Sequence, residues 1–216
     1  MLFANREEAG EKLAEALKDY KGDENTILIA LPRGGVVVGL EVAKHLSLPL
    51  DIVCPRKIGA PFNPEYAIGA VTETGEGIIS QTLIQQLGIT ESYLKETLAE
   101  ESKQAKWRHD HYRKGRPPRN LQGKRVILID DGLATGSTMR AAIKTVKREE
   151  ASEIVVAVPV SPKETFEHLE QEVDKLIALA TPTPFYAVGQ FYDSFDQTTD
   201  EEVIALLSQT AANPTS

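Results

Sequence analysis

A buried-strand pattern that ends in two adjacent acids constrains the fold of this 216-residue chain more than any other feature. The apolar run 126–129 has the continuous hydrophobicity of a strand that is covered on both faces of a sheet. Asp130 and Asp131 follow it directly, and the small-residue run 132–136 leads into a helical pattern that begins near Ser137. Ligands of open α/β sheets bind at the carboxyl ends of strands, and a helix N-terminus favours an anion there. The stretch therefore predicts a site for a phosphate and a sugar diol within an α/β fold.

The loop before this helix supplies the expected phosphate contacts. Its backbone N–H groups and hydroxyls can surround one phosphate while the two acids face the sugar. An ordinary capped crossover would need only one polar residue at the helix start. A Walker-type loop is excluded, because the chain contains no G-x-x-x-x-G-K-[ST] sequence. The predicted phosphate-binding residues are Ala134, Thr135, Gly136, Ser137 and Thr138.

Strands and helices alternate along most of the chain. A strand over 26–31, a helix over 36–45 and a strand over 50–54 form a βαβ unit. Together with the later elements, this alternation predicts a mostly parallel central sheet with helices on both faces. Other predicted elements are a first helix capped by Asn5 and ending near Lys18, a hairpin of strands 67–72 and 77–80, strands over 125–130, 154–160 and 175–180, and helices over 137–147 and 162–172, the latter with a capping box at Ser161.

A segment over about residues 75–123 interrupts this alternation and looks like an insertion into one domain of residues 1–216. A long helix is predicted from Thr90 to about Tyr112, and residues 103–125 hold nine Lys or Arg residues against one acid. The formal net charge of the chain is −8, so these cations are concentrated. The segment fits a lid over an anionic ligand, a solvated helix face, a partner contact or an RNA-binding patch. Residues 210–216 are expected to be a frayed tail.

Two further basic features follow predicted strands of the parallel sheet. Arg33, Gly34 and Gly35 come after the first strand, so the loop should lie near Asp130 at the carboxyl edge of the sheet. Glycines allow a backbone to approach an anion closely. Arg56 and Lys57 follow the second strand, at the same edge, where cations could meet that anion. A strand-ending turn with solvated basic side chains is the alternative for both features.

The stretch 126–138 resembles the 5-phosphoribosyl-1-pyrophosphate (PRPP) signature of type I phosphoribosyltransferases. In that family the loop holds the ribose 5′-phosphate and the acids contact the ribose hydroxyls, so the resemblance implies these roles for residues 134–138 and for Asp130 and Asp131. It also implies that Arg33, Gly34 and Gly35 hold pyrophosphate, often through a non-proline cis peptide, here near Arg33-Gly34. By their place at a strand end, Arg56 and Lys57 could meet the same pyrophosphate. Asp130, Asp131 and Arg33 would then be catalytic. Mg²⁺ is the implied cofactor, with the two acids beside it through water or ribose hydroxyls.

The resemblance implies transfer of the 5-phosphoribosyl group of PRPP to a nitrogenous base, with release of pyrophosphate. Members that act on 6-oxopurines begin the loop with an aspartate, and this chain has Ala134 there, which disfavours hypoxanthine and guanine. The alternative is a PRPP- or nucleotide-sensing regulator on the same fold that has lost turnover and that could bind RNA.

The resemblance is weaker at the rim of the expected site. A lid is implied within the insertion, and Arg113 and Arg116 are its candidate cations. A small hood is implied over about residues 181–195, where Phe185, Tyr186 and Tyr192 are candidates for stacking on the base. Core packing is the alternative for each ring. The family also implies a homo-oligomer, with a dimer as the expected state.

Composition excludes several other classes of protein. The net charge argues against a nonspecific nucleic-acid binder and against binding to an anionic membrane surface. No apolar run reaches membrane-spanning length. Cys54 is the one cysteine, which rules out an intrachain disulfide and a cysteine metal cluster; a small buried thiol and a cytoplasmic location are expected.

Overall fold

The computed structural model describes residues 2–210, apart from the side chain of Glu65, and most of the predicted tail lies outside this range. The strands are β1 (Thr26–Ala30), β2 (Leu50–Ile52), β3 (Arg56–Ala60), β4 (Asn63–Val71), β5 (Gly77–Ile79), β6 (Arg125–Ile129), β7 (Glu153–Val160) and β8 (Lys175–Ala180). The α-helices are α1 (Arg6–Ala16), α2 (Gly34–Leu46), α3 (Gln81–Leu87), α4 (Glu91–Tyr112), α5 (Ser137–Arg148), α6 (Lys163–Glu170) and α7 (Asp200–Ser208).

A five-stranded parallel sheet forms the centre of the fold, in the order β2-β1-β6-β7-β8. Side chains alternate along each strand, so each strand contributes to two cores. Leu28 and Ile127 share one core with buried residues of α1, α2 and α7, whereas Val126 and Leu128 share the other with buried residues of α5 and α6. The prediction of a mostly parallel α/β sheet with helices on both faces is confirmed.

A smaller antiparallel sheet with the order β3-β4-β5 lies outside this parallel pattern. Its core includes Ile58 and Ile68, and side chains of α3 and α4 pack against them. The β4–β5 hairpin was predicted, but β3 was not, so the antiparallel part begins at Arg56 rather than at the predicted strand 67–72. Register shifts on both sides of Gly59 and a proline at position 64 hide the strand alternation there.

Some of the helix starts predicted from the sequence are present in the structure, and one predicted cap is not. Asn5 caps α1 by accepting the Glu8 N–H at 2.9 Å, as predicted. Thr90, where the long helix was predicted to begin, caps α4. The predicted capping box at Ser161 is wrong: its hydroxyl donates to the Pro162 carbonyl, and α6 begins without a side-chain cap. Within residues 2–210, no helix combines the length and the apolar character needed to cross a bilayer. Cys54 is buried, and burial raises the pKa of its thiol.

Candidate active site

The loops that follow β1 and β6 meet at the carboxyl edge of the central sheet, because these strands are neighbours. A Cβ added to Gly35 would lie 3.0 Å from the Asp130 Cα, and one added to Gly34 would lie 1.9 Å from the Asp131 Oδ2. Only glycines allow the two loops to approach this closely. The structure thus brings Arg33-Gly34-Gly35 against the paired acids. The Pro32-Arg33 peptide bond is cis, one residue before the predicted place.

Both loops open a helix and present unpaired backbone donors. Arg33 precedes α2, and Gly136, whose φ is 75°, precedes α5. Several backbone N–H groups in each loop donate no hydrogen bond to any described residue. Four N–H groups at the start of any helix lack a partner within that helix, so each loop can bind an anion. The unpaired donors are those of Arg33, Gly34 and Gly35 in one loop and of Thr135, Gly136 and Thr138 in the other.

The two acids between these loops have different surroundings. Asp130 Oδ1 accepts the Asp131 N–H at 2.9 Å, whereas Asp131 Oδ2 accepts from Arg6 Nε at 2.8 Å. Burial raises the pKa of both carboxyls. The neighbouring Asp131 charge raises the pKa of Asp130 further, while the Arg6 cation opposes the increase for Asp131.

Arg6 was not predicted as a site residue. It is the first residue of α1 and reaches Asp131 only through the tertiary fold. Its guanidinium also lies over the Phe195 ring, 3.8 Å from the ring centroid, and donates to the Asp196 carbonyl at 2.7 Å. No local sequence pattern connects these positions, so the sequence carried no signal for this contact.

Two neighbouring cavities place the antiparallel sheet beside the 134–138 loop. One, of about 520 Å³, is lined by Lys57 and Tyr66 together with the whole loop. The other, of about 470 Å³, is lined by Arg56, Lys57, Arg108 and Thr138. Arg56 Nε makes a close ion pair with Glu101. Arg56 and Lys57, predicted to meet the pyrophosphate, therefore lie near the 134–138 loop, and Arg108 is an additional cation that the prediction missed.

The assignment of Arg113 and Arg116 as lid cations is corrected by their contacts. Arg113 makes a two-pronged hydrogen bond to the buried Asp51 carboxylate, at 2.6 and 2.9 Å. Arg116 donates to the backbone carbonyls of Leu50 and Leu207. These guanidinium groups satisfy buried acceptors at β2 and α7, so they fasten the insertion to the core instead of facing the ligand cavities.

Two of the three aromatic rings that were predicted to stack on the base pack within the protein instead. Tyr192 is 2% exposed, and its hydroxyl donates to the Asp131 carbonyl at 2.6 Å, so its ring cannot stack on a base. Burial raises the pKa of this hydroxyl, which keeps it a donor. Phe185 packs on Phe191 with ring centroids 4.9 Å apart. Tyr186 is 85% exposed and is the one predicted stacking ring that is open to a ligand.

Arg33 faces an element that the sequence did not predict. Its Nη1 lies 3.6 Å from Asp200 Oδ1, at the start of α7. The same oxygen accepts from the Tyr112 hydroxyl at 2.6 Å, at the end of α4. Helix α7 was missed although Thr199 and Glu202 form a capping box before it, a pattern that the sequence shows.

The acids fit a metal that arrives with its ligand. Within the described range, no group of three or more His, Cys, Asp or Glu side chains could hold a metal ion. Mg²⁺ usually keeps several waters and binds through one or two carboxylates plus substrate phosphates. Asp130 and Asp131 supply two adjacent carboxylates beside two anion loops, which suits this mode.

Comparison with known proteins assigns the chain to a family. The family model described as "Phosphoribosyl transferase domain" matches residues 2–192. The chain belongs to the phosphoribosyltransferase family. Two curated Mycobacterium tuberculosis proteins, from strains CDC 1551 and H37Rv and provisionally named phosphoribosyl transferases, are 36% identical to it over 208 residues. The match covers 96% of this chain and 47% of each relative, so the chain spans about half the length of these curated relatives.

A solved structure is similar to this member of the phosphoribosyltransferase family over almost its whole length. The crystal structure of TT1426 from Thermus thermophilus is 43% identical to it, with a TM-score of 0.82. The superposition covers 98% of this chain and 100% of TT1426.

Proposed function

We propose that this protein transfers the 5-phosphoribosyl group of PRPP to a nitrogenous base and releases pyrophosphate in a Mg²⁺-dependent reaction. One observation carries the proposal: two helix-opening loops with unpaired N–H groups lie on either side of two adjacent carboxylates. PRPP has two phosphate-bearing ends separated by a ribose diol. The spatial order of loop, acids and loop matches that distribution of charge.

The reaction separates charge, and each part of the site has a role in it. The bond between ribose C1 and a pyrophosphate oxygen breaks, and its electron pair leaves with pyrophosphate. A lone pair of the base nitrogen then forms the new bond to C1. Arg33 and the N–H groups of Gly34 and Gly35 would bind the departing anion, and Asp130 and Asp131 would hold the ribose hydroxyls and favour a positively charged sugar. When bound, Mg²⁺ would neutralise charge on the pyrophosphate.

The loop residue Ala134 bears on which base is accepted. It has no carboxylate, and its carbonyl accepts from the Thr165 hydroxyl at 2.7 Å. The position at which 6-oxopurine enzymes carry an aspartate therefore has no acid–base group here. We expect acceptors other than hypoxanthine and guanine.

Pyrophosphate release tests the proposal against the sensor alternative. The protein would be incubated with Mg-PRPP and a panel of bases, and binding would be measured by calorimetry in parallel. Release with at least one base supports transfer. Binding without release across the panel would favour a regulator, and absence of binding would refute both.

A pair of matched variants links this assay to the phosphate loop. Thr138 lines both cavities, and Thr138→Val removes its hydroxyl while keeping the shape of the side chain. It should weaken Mg-PRPP binding about tenfold, because a hydrogen bond to a charged group is lost. Thr82→Val, at an exposed position on α3, should leave binding unchanged.

Two further expectations concern location and assembly. The single cysteine favours a cytoplasmic location, and the family resemblance implies a homodimer. Light scattering of the purified protein would measure the oligomeric state.

A further inference from the structure

Arg33 differs from most arginines of the chain because its guanidinium donates no hydrogen bond to a described residue. Apart from Arg108, the other arginines donate to protein acceptors. The described partner of the Arg33 side chain is Asp200, whose Oδ1 lies 3.6 Å from Nη1. At this distance the two groups attract each other by charge without a hydrogen bond. The N–H donors of Arg33 therefore stay available to a ligand.

The Asp200 carboxylate is held from a second side. Its Oδ1 also accepts from the Tyr112 hydroxyl at 2.6 Å, at the last residue of α4. Tyr112 is buried, and burial and this hydrogen bond raise the pKa of its hydroxyl, which keeps it a donor. One carboxylate oxygen therefore connects the end of α4 with Arg33.

Helix α7, which begins at Asp200, is fastened at both ends. The capping box of Thr199 and Glu202 fixes its start, and Arg116 donates to the Leu207 carbonyl in its last turn. The buried face of α7 packs in the core that also contains residues of α2. Since α2 begins directly after Arg33, this packing sets the distance between Arg33 and Asp200.

The geometry of the pair favours positioning over competition with a ligand. An acid that made a two-pronged contact with Arg33, as Asp51 does with Arg113, would have to be displaced by an anionic ligand. Arg33 and Asp200 make no such contact, and their side chains are 28% and 31% exposed, so the attraction is moderate. Asp200 can therefore restrict where the guanidinium lies and still leave it to a ligand.

We propose that Asp200, held by Tyr112, is a positioning residue that keeps the Arg33 guanidinium in place for the pyrophosphate end of the substrate. The role toward pyrophosphate rests on the proposed function. Helix α7 lies beyond residues 2–192, over which the family model matches, so the matched region does not contain Asp200.

The placing of Arg33 can be measured on the unliganded protein. Nitrogen-15 relaxation of the arginine Nε–H groups, with the Arg33 signal assigned by Arg33→Lys, reports how ordered the side chain is. Asp200→Asn and Tyr112→Phe should each make the Arg33 signal more mobile than in the wild type. The matched control is Glu201→Gln, which removes the same charge from the next, exposed residue of α7. Unchanged mobility in both test variants would overturn the proposal.

Calorimetry with two separate ligands tests the role toward pyrophosphate. Asp200→Asn, whose amide oxygen can still accept from Tyr112, should weaken Mg-pyrophosphate binding about fivefold and leave ribose 5-phosphate binding unchanged. Asp200→Glu keeps the charge and should recover most of the loss, and Glu201→Gln should match the wild type. Unchanged Mg-pyrophosphate affinity in Asp200→Asn would overturn the proposal, and tighter binding would instead make Asp200 a competitor for Arg33.

A double-mutant cycle separates positioning from general support of the fold. If Asp200 acts through Arg33, Asp200→Asn should have no further effect on Mg-pyrophosphate affinity in an Arg33→Gln protein. An equal loss in both backgrounds would mean that Asp200 acts independently of Arg33, and the proposal would fall while the proposed function stands. A wild type that binds neither Mg-pyrophosphate nor Mg-PRPP would refute the proposed function and, with it, the role of Asp200 toward pyrophosphate.

Discussion

At the scale of residues, the two adjacent acids differ in what stabilises their charge. Asp131 has Arg6, whereas burial and the neighbouring Asp131 charge hold the pKa of Asp130 well above its usual value. A raised folded-state pKa means that the native state binds the proton more tightly than the unfolded state does. Protonated Asp130 therefore stabilises the native state at low pH, and this contribution to the free energy of unfolding is lost as pH rises through the folded-state pKa. Above that folded pKa, the charge of Asp130 destabilises the native state.

Opposite stability effects are therefore expected at these two positions. Asp130→Asn should raise the free energy of unfolding at pH 7.5, since it removes a like charge and its amide oxygen can still accept the Asp131 N–H. Asp131→Asn should lower it by about 1–3 kcal/mol, because the buried Arg6 loses its carboxylate. Urea unfolding measures both changes, and calorimetry should show weaker Mg-PRPP binding for both variants. A less stable Asp130→Asn protein would contradict this reading of the pair.

The sequence predicts site residues where the chemistry is contiguous along the chain. Asp130, Asp131 and the 134–138 loop form one uninterrupted pattern, and the structure places Gly34 and Gly35 of the other predicted loop against the two acids. Arg6 could not be predicted, because its partner lies 125 residues away. Tyr192 was misread for the same reason, since its burial depends on a pairing between the hood and the chain start at Phe3.

At the scale of elements, helix α4 has one face toward the site. Tyr93, Thr97, Glu101 and Arg108 are spaced by four, four and seven residues, and all four line the cavity that also contains Arg56 and Lys57. This spacing puts them on one stripe of a helix. A search for helical periodicity among the polar residues could have identified Arg108, whereas the search for charge density led to Arg113 and Arg116.

Arg108 should therefore contact the anionic ligand, whereas Arg113 should not. We expect Arg108→Gln to weaken Mg-PRPP binding about tenfold through loss of a charge-assisted contact, with little change in stability. Lys106→Gln is the control, because Lys106 pairs with Asp110 on the same helix outside this cavity. Calorimetry on both variants gives the comparison. Equal affinities for the two would remove Arg108 from the site.

The buried ion pair of Arg113 and Asp51 should instead govern stability. Asp51 is 2% exposed, so loss of Arg113 removes its two-pronged partner and leaves only Arg116, whose Nη1 lies 4.0 Å from Asp51 Oδ1. Arg113→Gln should lower the free energy of unfolding by about 3 kcal/mol, whereas Lys114→Gln, at an exposed neighbouring position, should change it by less than about 0.5 kcal/mol. Urea titrations test this expectation, and an unfolding midpoint unaltered by Arg113→Gln would restore the lid assignment.

The parallel strands were the most predictable elements. β1, β6, β7 and β8 are continuous apolar runs in a sheet buried on both faces, so composition alone marks them. β3 begins with Arg56-Lys57 and has one exposed face, so its sequence looks like a basic loop. Tertiary pairing with β4, which no local pattern specifies, makes it a strand.

At the scale of the whole molecule, the candidate site lies between the two sheets. The central sheet supplies the 134–138 loop, and the antiparallel sheet supplies Lys57 and Tyr66 to the same cavity. The chain carries a formal net charge of −8, yet Arg56, Lys57 and Arg108 gather at this junction. A local positive field can attract an anionic ligand to an acidic protein.

Ligands that fill different parts of this junction should therefore protect different segments from hydrogen exchange. Mg-PRPP should slow exchange in the 33–35 and 134–138 loops and also in β3 and β4, because Lys57 and Tyr66 share a cavity with the 134–138 loop. Ribose 5-phosphate lacks the pyrophosphate, so it should protect the 134–138 loop, β3 and β4 but not the 33–35 loop. Mass spectrometry of peptides that contain residues 33–35 distinguishes the two ligands. Equal protection of these peptides by both ligands, or by neither, would show that the 33–35 loop does not bind the pyrophosphate.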